Sequence, residues 1–237
     1  MASWMVHLRI ADEILKRIEE LDETSFVIGN IAPDSGVPNE DWSKYYPPKN
    51  ISHFKTRPDD ELFFDVDEFR KQYFSAEKIK EYDKRHYSFF LGYYVHLLSD
   101  IEWTMKIYFP NVSEEKAKEI NKTKIDLLWE NKADWYDLDF LYLEEHPDFN
   151  AFHIYETAKN LNNDYMDIFS VDAFENRRDY ICGFYRSDNH GDLHREYKHL
   201  TPEQADSFVK ETVDKIIIEI KQIAFYGDQR CINHKIM

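Results

Sequence analysis

His96 and Asp100 stand four residues apart in His96-Leu97-Leu98-Ser99-Asp100, so on a helix both side chains leave one face a turn apart. An imidazole and a carboxylate at that spacing can grip one metal ion, or two if the carboxylate bridges. The spacing also suits a core histidine hydrogen-bonded to the aspartate of its own helix. The apolar run around the pair argues for the metal, because a buried ionised aspartate is costly unless it is paired or coordinated. Three more groups are of suitable type: Asp34 in Ala32-Pro33-Asp34-Ser35-Gly36, His53 in Ser52-His53-Phe54, and His7 near the start of the chain. Each also has an ordinary reading, as a turn residue, a packed loop histidine and an N-terminal residue respectively. Together, three imidazoles and two carboxylates without a thiolate form the nitrogen-and-oxygen donor set typical of catalytic zinc sites.

These groups need elements to position them. Leu8, Ile10, Ile14, Leu15, Ile18 and Leu21 recur at helical spacing, which predicts a first helix over about residues 6–21 with His7 at its start. Residues 26–54 hold Gly29, Gly36 and four prolines among polar residues, and predict a long ordered loop that carries Asp34 and His53. A short helix is expected over 65–74 and a long one over 76–109, closed by Pro110. The centre of the long one, HYSFFLGYYVHLLSDIEW, is apolar nearly all round, as in a helix buried within a bundle. Ser113 opens another helix running to about residue 131. Helix is expected again over 149–185 with a break near Ser170, and Thr201-Pro202 opens the last one, to about residue 226. The expectation is a single all-α domain over residues 1–237.

Composition narrows the function. The 237 residues carry 30 basic and 46 acidic groups, a formal net charge of −16. Such a surface repels phosphate backbones and anionic membrane, so double-stranded nucleic acid and stable membrane insertion are excluded as partners. The 6 glycines form no phosphate-cradling loop. Cys182 and Cys231 are too few for a disulfide framework or a thiolate zinc site. With no secretory signal and no run near the ~18 apolar residues of a membrane span, the cytoplasm is the expected compartment.

The order of these elements resembles the zinc-dependent phospholipase C family, which shares a fold with fungal single-strand nucleases. The resemblance covers about residues 3–103. It rests on His7-Leu8-Arg9-Ile10-Ala11, on Gly29-Asn30-Ile31-Ala32-Pro33-Asp34-Ser35-Gly36, on His53-Phe54, and on the segment from Phe90 through His96 to Asp100. It implies an all-helical fold holding up to three zinc ions. Asp34, His53, His96 and Asp100 would hold one zinc, and Asp100 would bridge to a second shared with His7. Two such ions suit in-line hydrolysis of a phosphate ester by metal-activated water, with Asp34 placed to orient or deprotonate that water.

Two departures stand out. Family members complete the second zinc with the amine and carbonyl of a mature N-terminal tryptophan; here Trp4 is only three residues before His7, and an intact Met1 start removes that ligand. Lys106 also stands where the pattern continues with a third-site histidine, so two zinc ions are expected and the third position is lost or rebuilt. Candidates for rebuilding are His153 and Glu156, three apart on a helix face, with Lys106 itself as an alternative phosphate contact. His190, His194 and His199 read as a solvated polar segment. Trp42, Tyr45, Tyr46 and Phe54 either line a pocket or pin the loop to its core.

Three functions follow. The first is a zinc-dependent, phospholipase C-like phosphodiesterase taking a small phosphate ester, and the second a nucleotide or single-strand nuclease-like phosphoesterase. The third is a non-catalytic metal-binding helical protein. The oligomeric state is left open.

Overall fold

In the computed structural model, residues 1–41, 43–57 and 63–233 are described, the last twelve by backbone alone. The architecture is all-α. Helix α1 (Trp4–Leu15) starts where the Ser3 hydroxyl accepts the Val6 N–H, and nine of its twelve residues are buried. It stops earlier than the apolar spacing predicts. Asp22 caps α2 (Glu23–Ile31) through the Ser25 N–H, so residues 16–20, exposed and charged except for Ile18, turn the chain toward that second start.

The largest correction falls here. Residues 26–31 are not loop, because Phe26, Val27, Ile28 and Ile31 are buried within α2. Gly29, read as a breaker, sits inside the helix and against Phe89 of α6 (Lys84–Trp103). The remainder of the segment is irregular, as its prolines require. It comprises a 3-10 turn (Ala32–Asp34), a two-strand hairpin of β1 (Val37–Pro38) and β2 (Tyr45–Tyr46), and the single-turn α3 (Lys49–Ser52).

Helix α4 (Val66–Tyr73) matches the short helix expected. The long helix divides into α5 (Ala76–Glu81) and α6, because Asp83 caps α6 through the His86 N–H. Beyond Trp103 a π-helical turn (Thr104–Tyr108) leads into α7 (Phe109–Asn111), which contains Pro110 near its start. The Ser113 helix, α8 (Glu114–Glu119), is short. A capping box of Thr123 and Asp126 then opens α9 (Lys124–Glu145). Helices α10 (Asn150–Thr157) and α11 (Ala173–Tyr185) are separated by an irregular segment much longer than the break expected at Ser170. Asn163 organises that segment, its side-chain amide donating to the Met166 and Phe169 carbonyls. Helix α12 (Pro202–Asn233) begins as read, capped by Thr201.

Helices α2 and α6 form the tightest pair, with α1 packed on both. Tyr93, Phe89 and Phe26, on these two helices, are fully buried. Among the described residues no helix is long and apolar enough to cross a membrane.

Candidate metal centre

Five side chains from four segments converge at the end of the α1–α2–α6 core. His7 lies in the first turn of α1, and Asp34 in the turn closing α2. His53 directly follows α3, where Phe54 reverses the chain at φ 52°. His96 and Asp100 occupy successive turns of α6. The three histidines and Asp100 are fully buried. His7 Nε2 lies 3.4 Å from Asp100 Oδ1, while Asp100 Oδ2 faces His96 Nε2 at 3.6 Å and His53 Nε2 at 3.7 Å. His53 Nε2 is 3.5 Å from Asp34 Oδ1 and 3.4 Å from His96 Nε2. The His7 and His96 rings stack with centroids 3.8 Å apart. These atoms form two donor groups, His7 with His96 and Asp100, and Asp34 with His53 and His96.

The hydrogen bonds decide between the two readings of the His96–Asp100 pair. At 3.6 Å the pair is beyond hydrogen-bond reach. His96 instead places its Nδ1 2.7 Å from the Asn30 carbonyl, which can only accept, so Nδ1 carries a proton and Nε2 faces the cluster. His53 is held similarly, its Nδ1 2.9 Å from the Ser52 hydroxyl, and Tyr93 donates to the Ser52 carbonyl. Within the cluster, both ring nitrogens of His7 and Oδ2 of Asp100 are buried with no hydrogen-bond partner. Each such orphan costs about 1–3 kcal/mol. A cation among them removes that cost, so the donors fit a metal ion of the zinc type in both chemistry and grouping.

The electrostatics agree for four of the five groups. Burial pushes the His7 imidazolium down to about 4, helped by His96, and burial also lowers His53. Burial would raise Asp34, but His53 and Lys49 beside it hold its carboxyl far below the ordinary range. Asp100 is likewise held low, against its burial, by the Met1 amino group, His7 and His96. His96 is raised despite burial, by Asp100 and Asp34. At neutral pH the carboxylates are therefore ionised and His7 and His53 neutral, the protonation states of metal ligands.

Residues 6–103 match the family model for zinc dependent phospholipase C. All five donors lie inside that span. The match agrees with the all-α fold and supports a zinc-dependent, phospholipase C-like function in general terms. No curated protein and no solved structure matches the chain.

The structure separates the remaining candidates. Lys106, in the π-helical turn, pairs with Glu211 at 3.1 Å and Glu102 at 3.5 Å. His153 is exposed, and Glu156 has both carboxylate oxygens on Arg186 at 2.7 Å. Neither belongs to the two donor groups. His190, His194 and His199 lie apart from one another's partners, against Gly191, Glu144 and Glu130. The start of the chain comes to the cluster, where the Ala2 N–H donates to Asp100 Oδ1 at 2.8 Å.

A cavity of about 260 Å³ opens over Asp34, walled by Trp4, Tyr45, Lys49, Lys132 and Tyr136. A larger groove of about 990 Å³ shares Tyr45 and Lys49 with it and is also lined by Tyr46. Phe54 instead packs inward on Phe69, Tyr73 and Tyr93, while Trp42 lies outside the described residues.

Sequence reasoning missed the group that anchors the start of α1. Asp139 of α9, buried, accepts the Ser3 hydroxyl and the Tyr185 hydroxyl, each at 2.7 Å. Burial pushes its carboxyl up to about 7, against the pull of those two donors. An unfolded aspartate titrates near 3.9. With the folded value raised, this group's contribution to stability is fully present below about 4 and is lost as pH rises through 7. Asp139→Asn is expected to flatten that fall, by at most on the order of 4 kcal/mol between pH 4 and pH 8. Urea unfolding of both proteins across that range checks it, and parallel curves would refute it.

Proposed function

We propose that this protein is a zinc-dependent hydrolase of phosphate esters, with His7, Asp34, His53, His96 and Asp100 as the metal ligands. The observation that carries the reading is the convergence of four buried donors and Asp34 around orphaned His7 and Asp100 atoms, open to one cavity at Asp34. Bound zinc would lower the pKa of water toward neutrality and offset charge gathering on the phosphoryl oxygens.

The chain's own groups supply the rest. The two oxygens of Asp100 face different imidazoles, an arrangement suited to sharing between two ions. Asp34, ionised and at the cavity wall, is placed to orient a water and take its proton. Lys49, 3.9 Å from Asp34, brings positive charge to an otherwise acidic molecule, which favours a small anionic ester over a polymer or a bilayer.

Protein purified without chelator is expected to hold about two equivalents of zinc, and less than one would sink the enzyme reading. Removing the metal should abolish hydrolysis of chromogenic phosphodiesters, and zinc should restore it. Choline-headgroup lipids and short oligonucleotides as parallel substrates separate phospholipase-like from nuclease-like action.

A further inference from the structure

The protein carries 46 acidic residues against 30 basic ones. Yet Lys132, half-buried on α9, has no carboxylate partner among the described residues. Its Nζ lies 4.7 Å over the Trp129 ring. Lys132 lines the same cavity as Lys49, and the charged group that acts on it most is that second lysine. Arg177, buried on α11, lines this cavity as well, donating to the Gly36 carbonyl while its Nε has no partner. Three cationic side chains thus face a small cavity in which Asp34 is the only acidic lining residue among the described ones.

Desolvating a lysine beside another lysine is unfavourable, and beyond the Trp129 ring no carboxylate among the described residues offsets it. An anion in the cavity would. The metal cluster accounts for the attraction of the reacting phosphate, but Lys132 is no part of that cluster. We propose that Lys132 and Lys49 form an anion subsite beside the metal centre, so that the ester accepted here carries a second anionic group besides the phosphate that reacts. This rests on the phosphate-ester reading above. The chemical class is a small ester bearing a further carboxylate or phosphate, with Tyr45, Tyr136 and Trp4 enclosing the carbon skeleton between the two charges.

The test compares two ligands that share a phosphate and differ in one group, glycerol 3-phosphate and 3-phosphoglycerate, titrated calorimetrically into the metal-loaded protein. The carboxylate ligand is expected to bind about tenfold more tightly, the size of one charge-assisted hydrogen bond. That preference should shrink as salt is raised. Lys132→Gln should erase it, and Lys132→Arg, which keeps the charge, should retain it. Equal binding of the two ligands by the unaltered protein would overturn the subsite, as would a Lys132→Gln variant that weakens both ligands alike. Circular dichroism spectra and bound-metal content of each variant verify that the comparison is between folded, loaded proteins. Hydrolysis of bis(p-nitrophenyl) phosphate on the same preparations tests the hydrolase reading by itself. A protein that hydrolyses the diester without the carboxylate preference loses the subsite and keeps the activity.

Discussion

His96→Ala is expected to leave the purified protein with less than half its bound metal and a clearly lower melting temperature. His96 is the one residue common to both donor groups, and it is fully buried. Removing its ring opens a cavity beneath the site and strips Asp100 of an imidazole neighbour, leaving a buried carboxylate less compensated. Truncations of this kind cost about 2–5 kcal/mol, and in a chain of this size each kcal/mol lowers the melting temperature by roughly 2–4 °C. Hydrolysis should fall on the order of 10³-fold or more, the worth of several kcal/mol of charge stabilisation. Metal analysis, a thermal melt and a chromogenic assay on one preparation read all three. His96→Gln, closer in volume, should recover much of the stability without the metal. Unchanged metal content in His96→Ala would show that the ligands lie elsewhere.

The second large effect comes from two glycines that carry no ligand atom themselves. A Cβ on Gly29 would sit 2.0 Å from the Phe89 carbonyl oxygen, and one on Gly92 would sit 2.1 Å from that of Phe26. Both obstacles are backbone, so α2 and α6 would have to separate. Gly29→Ala or Gly92→Ala should each cost about 3 kcal/mol or more, the upper end of overpacking penalties. The site should feel the separation too, because the Asn30 carbonyl on α2 orients His96 on α6. Zinc affinity should therefore drop under conditions where the variant is still folded. Gly183→Ala is the control. Nothing lies within 4 Å of its Cβ in α11, and relief of glycine's backbone entropy should stabilise it by about 0.5–1 kcal/mol. If the two core variants behaved like this control, close helix approach would not be what holds the site.

Much of the site was legible in the sequence, and for a physical reason. A ligand type announces itself by chemistry, and the four-residue spacing of His96 and Asp100 fixes their relative placement without knowledge of the fold. The short motifs around Asp34 and His53 did the rest. What could not be read was tertiary. Gly29 looks like a helix breaker until α6 is known to pass against it, and then its missing side chain becomes the reason α2 fits there. Asn30, quoted within its motif, gives no sign that its carbonyl orients His96. Lys132, Asp139 and Arg177 lie more than thirty residues beyond the last donor, with no local pattern to mark them. His153 and Glu156 show the opposite error. Their three-residue spacing fits a ligand pair, but Arg186, thirty residues further along, takes both oxygens of Glu156. Boundaries failed where a cap outweighed an apolar stripe, at Asp22, Asp83 and Thr123.

The five donors come from residues 7 to 100, yet part of the wall of the cavity over them comes from later in the chain: Leu128, Lys132, Trp135 and Tyr136 of α9, and Arg177 of α11. Ser3, just ahead of the first donor, is pinned from the same side by Asp139 and Tyr185. On the proposed reading the ligands thus sit on one stretch of polypeptide, while the walls that choose a substrate are shared between that stretch, through Trp4, Tyr45 and Lys49, and a later one. On that same reading, replacing the walls on α9 and α11 with others of different charge and shape would change which ester binds while every proposed ligand stayed in place. The reverse exchange, new ligands under old walls, would leave a selective binding protein with no reaction to perform.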